Sequence, residues 1–261
     1  MKENEKFELN SAQYLQNTYG SDTVTFTHLG GHTSNVPDIR LDINGKTAYY
    51  IEVKMNHAQC GQFVLKPDYQ THTFIYTAKS EENEYTNTIQ TYMNQFYDRF
   101  VNAGTRGESI ELDKSIFYNW VKEYYKHKNV KFFLAYANDY IIFPIEKFDE
   151  YFDISACYRC KRSGSSHPSQ NNKAELTNLL NSFGTDYTLE IGKSTYVTIN
   201  QDLHKKYLQG PHYEYFFKLV SDNRSVITRC SNTWNSNVIF QIRLKSEQQE
   251  EDLQAFIDSL K

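Results

Sequence analysis

The sequence predicts a mixed α/β protein in which helices flank a central β-sheet and the last third is mostly strand. Three patterns support this class. Apolar residues recur at helical spacing in several segments, they alternate at strand spacing around Asn44-Gly45, and short alternating runs dominate after residue 186. The chain has 261 residues, of which 39% are hydrophobic, so it can bury a sizeable core. We therefore expect one domain over residues 1–261.

The helices are predicted from apolar spacing and from their end signals. Phe7, Leu15 and Tyr19 share one face of an opening helix over residues 7–19, which Gly20 ends. The same reasoning predicts further helices over residues 84–103, 113–128, 174–183 and 247–260, with a short helical piece near Phe148.

The strands are predicted from alternation between turn residues. Residues 23–29 alternate until Gly30-Gly31, and two strands flank Asn44-Gly45, which is a strong hairpin signal. The remaining predicted strands cover residues 130–137 and 140–144 as a hairpin, then 153–162, 187–191, 196–199, 213–220, 225–230 and 238–244.

Composition restricts the environment and the partners of the chain. The formal net charge of −4 gives no global positive field, so any nucleic-acid surface must come from a local basic patch. No stretch is long and apolar enough for a membrane span, and the start MKENEKFELN lacks the apolar core of a signal peptide. We therefore expect no membrane association and a location in the cytoplasm.

The cysteines indicate a reducing compartment, because four are too few for a disulfide framework in a chain of this size. Cys157 and Cys160 have the spacing of a zinc-binding pair, but a four-ligand site needs a second pair. Cys60, Cys230 and His167 are only loosely available as partners. A plain strand that carries Cys157 and Cys160 on opposite faces is the alternative.

The segment PDIRLDINGKTAYYIEVK, residues 37–54, constrains its own register. Its odd-numbered positions are apolar in both strands, and directly opposed residues share a face, so opposed residue numbers must sum to an even value. A two-residue Asn44-Gly45 loop would pair Ile43 with Lys46 and bury the wrong side. We therefore predict a longer or bulged turn that pairs Asp42 with Lys46.

That register gathers three charged residues. Asp38 would lie opposite Tyr50 and diagonal to Glu52, with Lys54 next along the same edge. Two carboxylates on adjacent strands can share a hard cation such as Mg²⁺, and a lysine can hold a scissile phosphate or an attacking water. This is the chemistry of phosphodiester hydrolysis. The alternative is ordinary polar decoration on the wet face of a hairpin.

The same residues resemble a known signature. Pro37-Asp38, thirteen intervening residues and then Glu52-Val53-Lys54 are similar to the PD-(D/E)xK motif of the restriction-endonuclease-like nucleases. A preceding helix, a strand and the glycine-rich approach GGHTSNV (residues 30–36) agree with that context. The resemblance covers about residues 5–65 and implies a restriction-endonuclease-like core with a central mixed sheet.

The resemblance also implies roles for individual residues. Asp38 and Glu52 would be metal ligands, with the backbone carbonyl of Val53 as a third. Lys54 would be the catalytic lysine. Mg²⁺ would be the cofactor, with Mn²⁺ able to replace it. Family members often add an acid from the opening helix and a polar residue after the lysine strand. Glu8 and Gln62 are the candidates, and Gln62 would then share in catalysis.

A basic, amide-rich stretch lies far from this motif, in the sequence YRCKRSGSSHPSQNN over residues 158–172. Cations followed by hydroxyl and amide groups suit both phosphate contacts and base-edge readout. The candidate DNA-binding residues are Arg159, Lys161, Arg162, Ser163, Ser165, Ser166, His167, Gln170 and Asn171. A solvated, mobile loop is the alternative.

Taken with the resemblance, these features imply a Mg²⁺-dependent endodeoxyribonuclease of a bacterial cytoplasm, most like a type II restriction endonuclease. Its catalytic core would lie in about residues 5–150 and its DNA-recognition elements mainly in residues 151–261. Double-stranded DNA would be the partner, and a symmetric target would call for a homodimer. A structure-specific nuclease of the junction or repair type remains possible, as does a non-catalytic nucleic-acid-binding module.

Overall fold

The structure is a computed structural model that describes residues 3–30, 36–77, 82–162, 165–231 and 234–261. The chain divides into two compact units, the first formed by Met1–Arg159 and Asn237–Lys261 and the second by Cys160–Ser236. The predicted mixed α/β class is confirmed. Within the described ranges, no helix is both long and apolar enough to cross a membrane.

The helices agree with the sequence prediction except at three places. They are α1 (Glu3–Tyr19), α2 (Glu84–Gln95), α3 (Tyr97–Val101), α4 (Lys114–His127), α5 (Phe148–Tyr151), α6 (Lys173–Asn181) and α7 (Glu250–Asp258). The helix predicted over 84–103 is broken at Phe96, whose backbone is not helical. The opening helix begins earlier than residue 7, and the last helix begins later than residue 247.

The strands include four that the alternation pattern does not indicate, namely β4, β5, β6 and β12. The complete set is β1 (Val24–His28), β2 (Ile39–Ile43), β3 (Lys46–Met55), β4 (His57–Asp68), β5 (Thr73–Tyr76), β6 (Glu108–Ile110), β7 (Val130–Tyr136), β8 (Tyr140–Pro144), β9 (Phe152–Arg162), β10 (Tyr187–Ile191), β11 (Thr195–Ile199), β12 (Tyr207–Gln209), β13 (Glu214–Ser221), β14 (Arg224–Arg229) and β15 (Trp234–Leu244).

The central sheet of the first unit has the strand order β1-β2-β3-β7-β8. It is mixed, because β3 and β7 run parallel whereas the other neighbours are antiparallel. Ile39, Ile51 and Leu134 are fully buried on one face, where Leu15 of α1 and Phe256 of α7 cover them. This apolar face leaves the other side chains of β3 free to build a polar site on the opposite side.

The hairpin between β2 and β3 contains a bulge, but the predicted turn that pairs Asp42 with Lys46 is wrong. Ile43 pairs with Lys46, so the loop contains only Asn44 and Gly45. Both loop residues have positive φ angles, 53° and 74°. This is the backbone of a tight hairpin turn whose twist matches that of the flanking strands, which explains why Asn-Gly adopts it here.

The even register that the apolar pattern demands is restored by a bulge. Asp42 pairs with Thr47, but Leu41 pairs with Tyr49, so Ala48 is an extra residue in β3. Beyond it, opposed residue numbers again sum to an even value.

The bulge also changes the predicted neighbour of Asp38. Arg40 lies opposite Tyr50, and Ile39 lies opposite Ile51, so Tyr50 does not face Asp38 as the longer turn would require. Asp38 is therefore shifted along β3 toward Glu52.

A second sheet, of order β5-β4-β15-β9-β6, is tied to α4 by an aromatic cluster. The ring of Trp120 stacks on Phe240 at a centroid distance of 4.5 Å and lies 5.4 Å from Phe63. The register between β4 and β15 shifts between Ile239 and Gln241, beside Gly61, whose φ is +91°. This bulge breaks the alternation of β4, which is why the sequence pattern did not indicate a strand there.

Replacing Gly61 by alanine is expected to destabilise the first unit by about 1–3 kcal/mol, because it combines overpacking with an unfavourable positive φ. A Cβ at this position would lie 2.7 Å from Cζ3 of Trp120, whose indole nitrogen is held by Thr86 at 2.9 Å. The midpoint of urea unfolding should fall. Gly104→Ala is the matched control, since no atom lies within 4 Å of its added Cβ. Equal midpoints for both variants would contradict the packing argument.

The second unit is a five-stranded antiparallel sheet, β10-β11-β14-β13-β12, covered on one face by α6. Leu176 and Leu180 of α6 pack against Val197, Tyr215 and Ile227. The region after residue 151, predicted to carry DNA recognition, is therefore divided. Residues 160–236 form this unit, whereas residues 237–261 return to the unit that holds the central sheet.

Candidate active site

Glu52, Val53 and Lys54 lie in β3, between β2 and β7, in the middle of the central sheet. Strand alternation places Val53 in the apolar core and Glu52 and Lys54 on the opposite face. The ammonium of Lys54 donates to Oε1 of Glu52 at 2.5 Å. The two side chains are only 13% and 8% exposed, so this ion pair is largely removed from water.

Asp38 immediately precedes β2 and is joined to β3 through its side chain. Its Oδ2 accepts a hydrogen bond from the Val53 backbone N–H at 2.9 Å. Its own carbonyl accepts from the N–H groups of Leu29 at 2.8 Å and Gly30 at 3.2 Å. Because the N–H and C=O of one strand residue point to the same side, the carbonyl of Val53 also faces Asp38.

Asp38 and Glu52 both interact electrostatically with the ammonium of Lys54. Burial and then repulsion from Glu52 raise the pKa of Asp38 to about 8, against the opposing effects of Lys54 and the Val53 N–H. Although burial disfavours the charged amine, Glu52 and Asp38 raise the pKa of Lys54 above its usual range. Lys54 is therefore a cation, and the raised pKa of Asp38 shows that a second negative charge beside Glu52 is disfavoured while no further cation is present.

Two residues that the sequence did not indicate surround Lys54. The ring of Tyr125, from α4, lies 5.6 Å from the Lys54 ammonium. Cys60, from β4, is fully buried, and burial raises the pKa of its thiol to about 12, although nearby Lys54 opposes the shift. The thiol is therefore neutral at physiological pH. No local pattern links these residues with Lys54, because they come from separate elements.

Glu8, the acid predicted from the opening helix, approaches Asp38 together with an unpredicted histidine. Oε2 of Glu8 lies 3.4 Å from Nε2 of His28 in β1, and the charge of Glu8 contributes to the raised pKa of Asp38. A Cβ on Gly30 would lie 2.1 Å from the same Glu8 oxygen. The glycine thus allows α1 to bring its carboxylate to this edge of the sheet.

Gln62, predicted to join the site, lies on the other face of β4. It accepts a hydrogen bond from Gln59 at 3.0 Å, and both side chains are exposed. Cys60, which influences Lys54, lies on the opposite face. The bulge at Gly61 is the reason, because without it Cys60 and Gln62 would point the same way. The structure therefore does not bring Gln62 to the charged cluster.

Among the residues that the structure describes, no three His, Cys, Asp or Glu side chains are grouped so that they could hold a metal ion. The zinc site considered from the sequence is not formed there: Cys157 and Cys160 occupy opposite faces of β9, and Sγ of Cys160 lies 3.3 Å from the Ser236 hydroxyl. The donor set to consider is thus Asp38, Glu52 and the Val53 carbonyl.

The predicted DNA-binding residues lie at the end of β9 and in the segment after it. Arg159 belongs to the first unit, whereas Lys161 and Arg162 belong to the second. Arg162 forms an ion pair with Glu214, so its guanidinium is partly occupied. Ser163 lies outside the described residues. The other predicted members, all exposed, are Ser165, Ser166, His167, Gln170 and Asn171.

The segment that begins at Ser165 is held by the sheet of the second unit. Ser166 exchanges two backbone hydrogen bonds with Arg229 in β14, at 2.8 and 3.2 Å. Nδ1 of His167 lies 3.3 Å from the carbonyl of Ile227, and Thr195 donates to the carbonyl of Pro168 at 2.7 Å. These contacts favour an ordered surface over the mobile-loop alternative. They also give His167 a structural partner.

The second unit carries a local positive charge. Residues 160–236 contain nine Lys and Arg against six Asp and Glu, which is a net charge of +3 in a chain whose total is −4. The unit that carries most of the predicted DNA-binding residues is therefore the positively charged part of the chain.

The comparisons with known proteins give one informative match. No protein-family model and no curated protein sequence matches the chain. A solved structure of HhaI endonuclease in complex with DNA is similar over 99% of this chain and 99% of that chain, with 37% sequence identity and a TM-score of 0.71.

Proposed function

The chain belongs to the family of HhaI endonuclease, and from this premise we propose that it is a Mg²⁺-dependent endonuclease that hydrolyses double-stranded DNA at a specific sequence, as a type II restriction endonuclease does. The observation that carries the proposal is the similarity over nearly the full length to an endonuclease solved with DNA. The charged cluster on β2 and β3 supplies the chemistry.

The residues of this cluster suit a magnesium ion. Mg²⁺ commonly uses one or two carboxylates and keeps several waters, so Asp38, Glu52 and the Val53 carbonyl form a suitable donor set. The half-buried Asp38 and the buried Glu52 repel each other, which contributes to the raised pKa of Asp38. This repulsion favours binding of a cation between them. When bound, the ion would neutralise phosphoryl charge and acidify a water.

Lys54 would act directly on the reacting groups. Its hydrogen bond to Glu52 uses one of three ammonium protons, which leaves donors for a phosphate oxygen or for the attacking water. The Tyr125 ring lies 5.6 Å from the ammonium, and the buried Cys60 thiol is close enough to feel its charge. The lysine is therefore held as a compact charge before substrate binds, which is the condition for electrostatic stabilisation of a transition state.

The second unit would supply sequence recognition through its positive charge and its anchored polar segment. A structure-specific nuclease would need the cluster of Asp38, Glu52 and Lys54 but no surface for sequence recognition. A non-catalytic binding module would not need a lysine beside two acids. The homodimer expected from a symmetric target stays a prediction, which the mass measured by light scattering with and without target DNA would test.

We expect plasmid DNA to be cut into discrete fragments in Mg²⁺ or Mn²⁺ and to stay intact in EDTA, because the proposed ion supplies the charge neutralisation and the acidified water that hydrolysis needs. Electrophoresis of a sequenced plasmid, followed by sequencing of the fragment ends, gives the measurement. A smear, or a preference for branched over linear duplexes, would favour the structure-specific nuclease. Intact plasmid at all metal concentrations would contradict the enzymatic proposal.

A further inference from the structure

Three arginines of the second unit stack on aromatic rings, and they differ in their ionic partners. Arg162 lies 5.1 Å from the ring of Trp234 but pairs with Glu214. Arg224 lies 4.3 Å from the ring of Tyr196 and donates to Glu190 at 2.9 Å.

Arg229 stacks on Tyr213 at 4.6 Å. Among the described residues, no carboxylate lies within ion-pair distance of its guanidinium. Its positive charge is therefore not paired with a carboxylate in the described part of the chain.

The surroundings of Arg229 keep its guanidinium in place without neutralising it. Oε1 of Glu175, a nearby carboxylate, accepts from the backbone N–H groups of His212 and Tyr213 at 3.1 and 3.0 Å, and so holds the main chain that carries the stacking ring. The backbone of Arg229 is held by its two hydrogen bonds to Ser166. The main-chain segments that carry Tyr213 and Arg229 are thus both anchored.

The position of Arg229 also places it beside the predicted DNA-contacting residues. It is the last residue of β14, it is half-buried, and its bridge to Ser166 sets it next to exposed hydroxyl groups. The sequence did not indicate it, since more than 60 residues separate it from that segment. The contact exists because β14 extends past its last pair with β11, Thr195 opposite Ile227, and Ser166 pairs with it there.

We propose that Arg229 is a specificity-determining residue that donates two parallel hydrogen bonds to the O6 and N7 atoms of a guanine in the major groove. This rests on the proposed function. A guanidinium held 4.6 Å over a ring is confined, so it loses less freedom than an unconfined arginine when it forms a bidentate contact with a planar base edge. Phosphate oxygens can also accept two parallel hydrogen bonds from an arginine, but the contact of arginine with guanine O6 and N7 is the commonest specific contact in the major groove, which favours a base.

The first test uses a library of random duplexes that the wild-type enzyme cuts in Mg²⁺, with sequencing of the cut ends to obtain its consensus. Arg229→Lys and Arg229→Ala should cut that consensus about 10–100-fold more slowly and lose preference at one G·C position, the discrimination expected of one bidentate contact. Arg224→Lys is the matched control, a stacked arginine already bound to Glu190, and it should keep both rate and consensus. Melting temperatures confirm that each variant folds.

A second measurement begins with the wild-type enzyme and is compared with the folded Arg229→Ala variant. Wild-type enzyme should cut a site with 7-deazaguanine, which lacks the N7 acceptor, more slowly at one guanine position, and in Arg229→Ala the same analogue should cause no further loss. Uniform weakening across all sequences, with a salt slope reduced by about 1, would assign Arg229 to a phosphate and overturn the proposal. So would a consensus retained by Arg229→Ala. A wild-type enzyme that yields no consensus would instead overturn the proposed function itself.

Discussion

Replacing Lys54 by alanine is expected to reduce the rate of DNA cleavage by at least about 100–1,000-fold, the cost of removing one preorganised electrostatic group from an active site. The ammonium of Lys54 forms an ion pair with Glu52 and also interacts electrostatically with Asp38. Binding of DNA, measured by fluorescence anisotropy in EDTA, should change only a few-fold. The loss should therefore appear in the rate of a single turnover and not in affinity.

A second substitution at the same position separates charge from structure. Alanine leaves the buried Glu52 without a partner and so also lowers stability. Lys54→Gln keeps a hydrogen-bond donor for Glu52 but removes the charge, and it should fold better than the alanine variant while it remains inactive. Lys46→Ala, at the exposed start of the same strand, is the matched control and should cleave normally. Single-turnover rates of the alanine or glutamine variant within three-fold of wild type, a margin of about 0.7 kcal/mol, would show that Lys54 is not catalytic.

Replacing Asp38 by asparagine is expected to separate stability from catalysis. The amide oxygen can still accept from the Val53 N–H, and the repulsion from Glu52 disappears, so in EDTA the melting temperature should equal or exceed that of wild type. Cleavage in Mg²⁺ should nevertheless fall more than about 100-fold, because a proposed metal ligand is lost. The melting temperature measured across a Mg²⁺ titration should rise for wild type alone, since a ligand that binds only the native state stabilises it.

Asp42→Asn provides the comparison for this prediction. Asp42 lies at the other end of β2, where it accepts from Arg40 at 2.9 Å and Thr47 at 2.8 Å, away from the charged cluster. Its replacement should leave both cleavage and the Mg²⁺ effect intact, even if it weakens the hairpin. An Asp38→Asn protein that is still stabilised by Mg²⁺ as strongly as wild type would rule out Asp38 as a ligand.

The sequence by itself determined the essential geometry of this hairpin. Alternation of apolar residues required that opposed positions in β2 and β3 sum to an even number, and the structure has this register beside the site, with Ile39 opposite Ile51. Which side chains share a face follows from the two-residue period of a strand and from the need to bury one face. Both conditions are local, so a single sequence contains them.

The sequence pattern did not predict which turn and which bulge produce that register. Asn44-Gly45 forms the tight turn, and the extra residue is absorbed by a bulge at Ala48. A second bulge at Gly61 turns Gln62 away from Cys60. A bulge can occupy several positions at similar local cost, and packing against the neighbouring strands and helices selects among them.

Contacts between distant segments were decided by the tertiary structure alone. His28 joins Glu8, Tyr125 lies beside Lys54, and Arg229 meets Ser166 through pairings that no spacing rule relates. Periodicity reports which face a side chain occupies on its own element. It does not report which element covers that face, because that depends on the packing of the whole core. For this protein the sequence therefore specified the acids and the lysine, and the fold specified their neighbours.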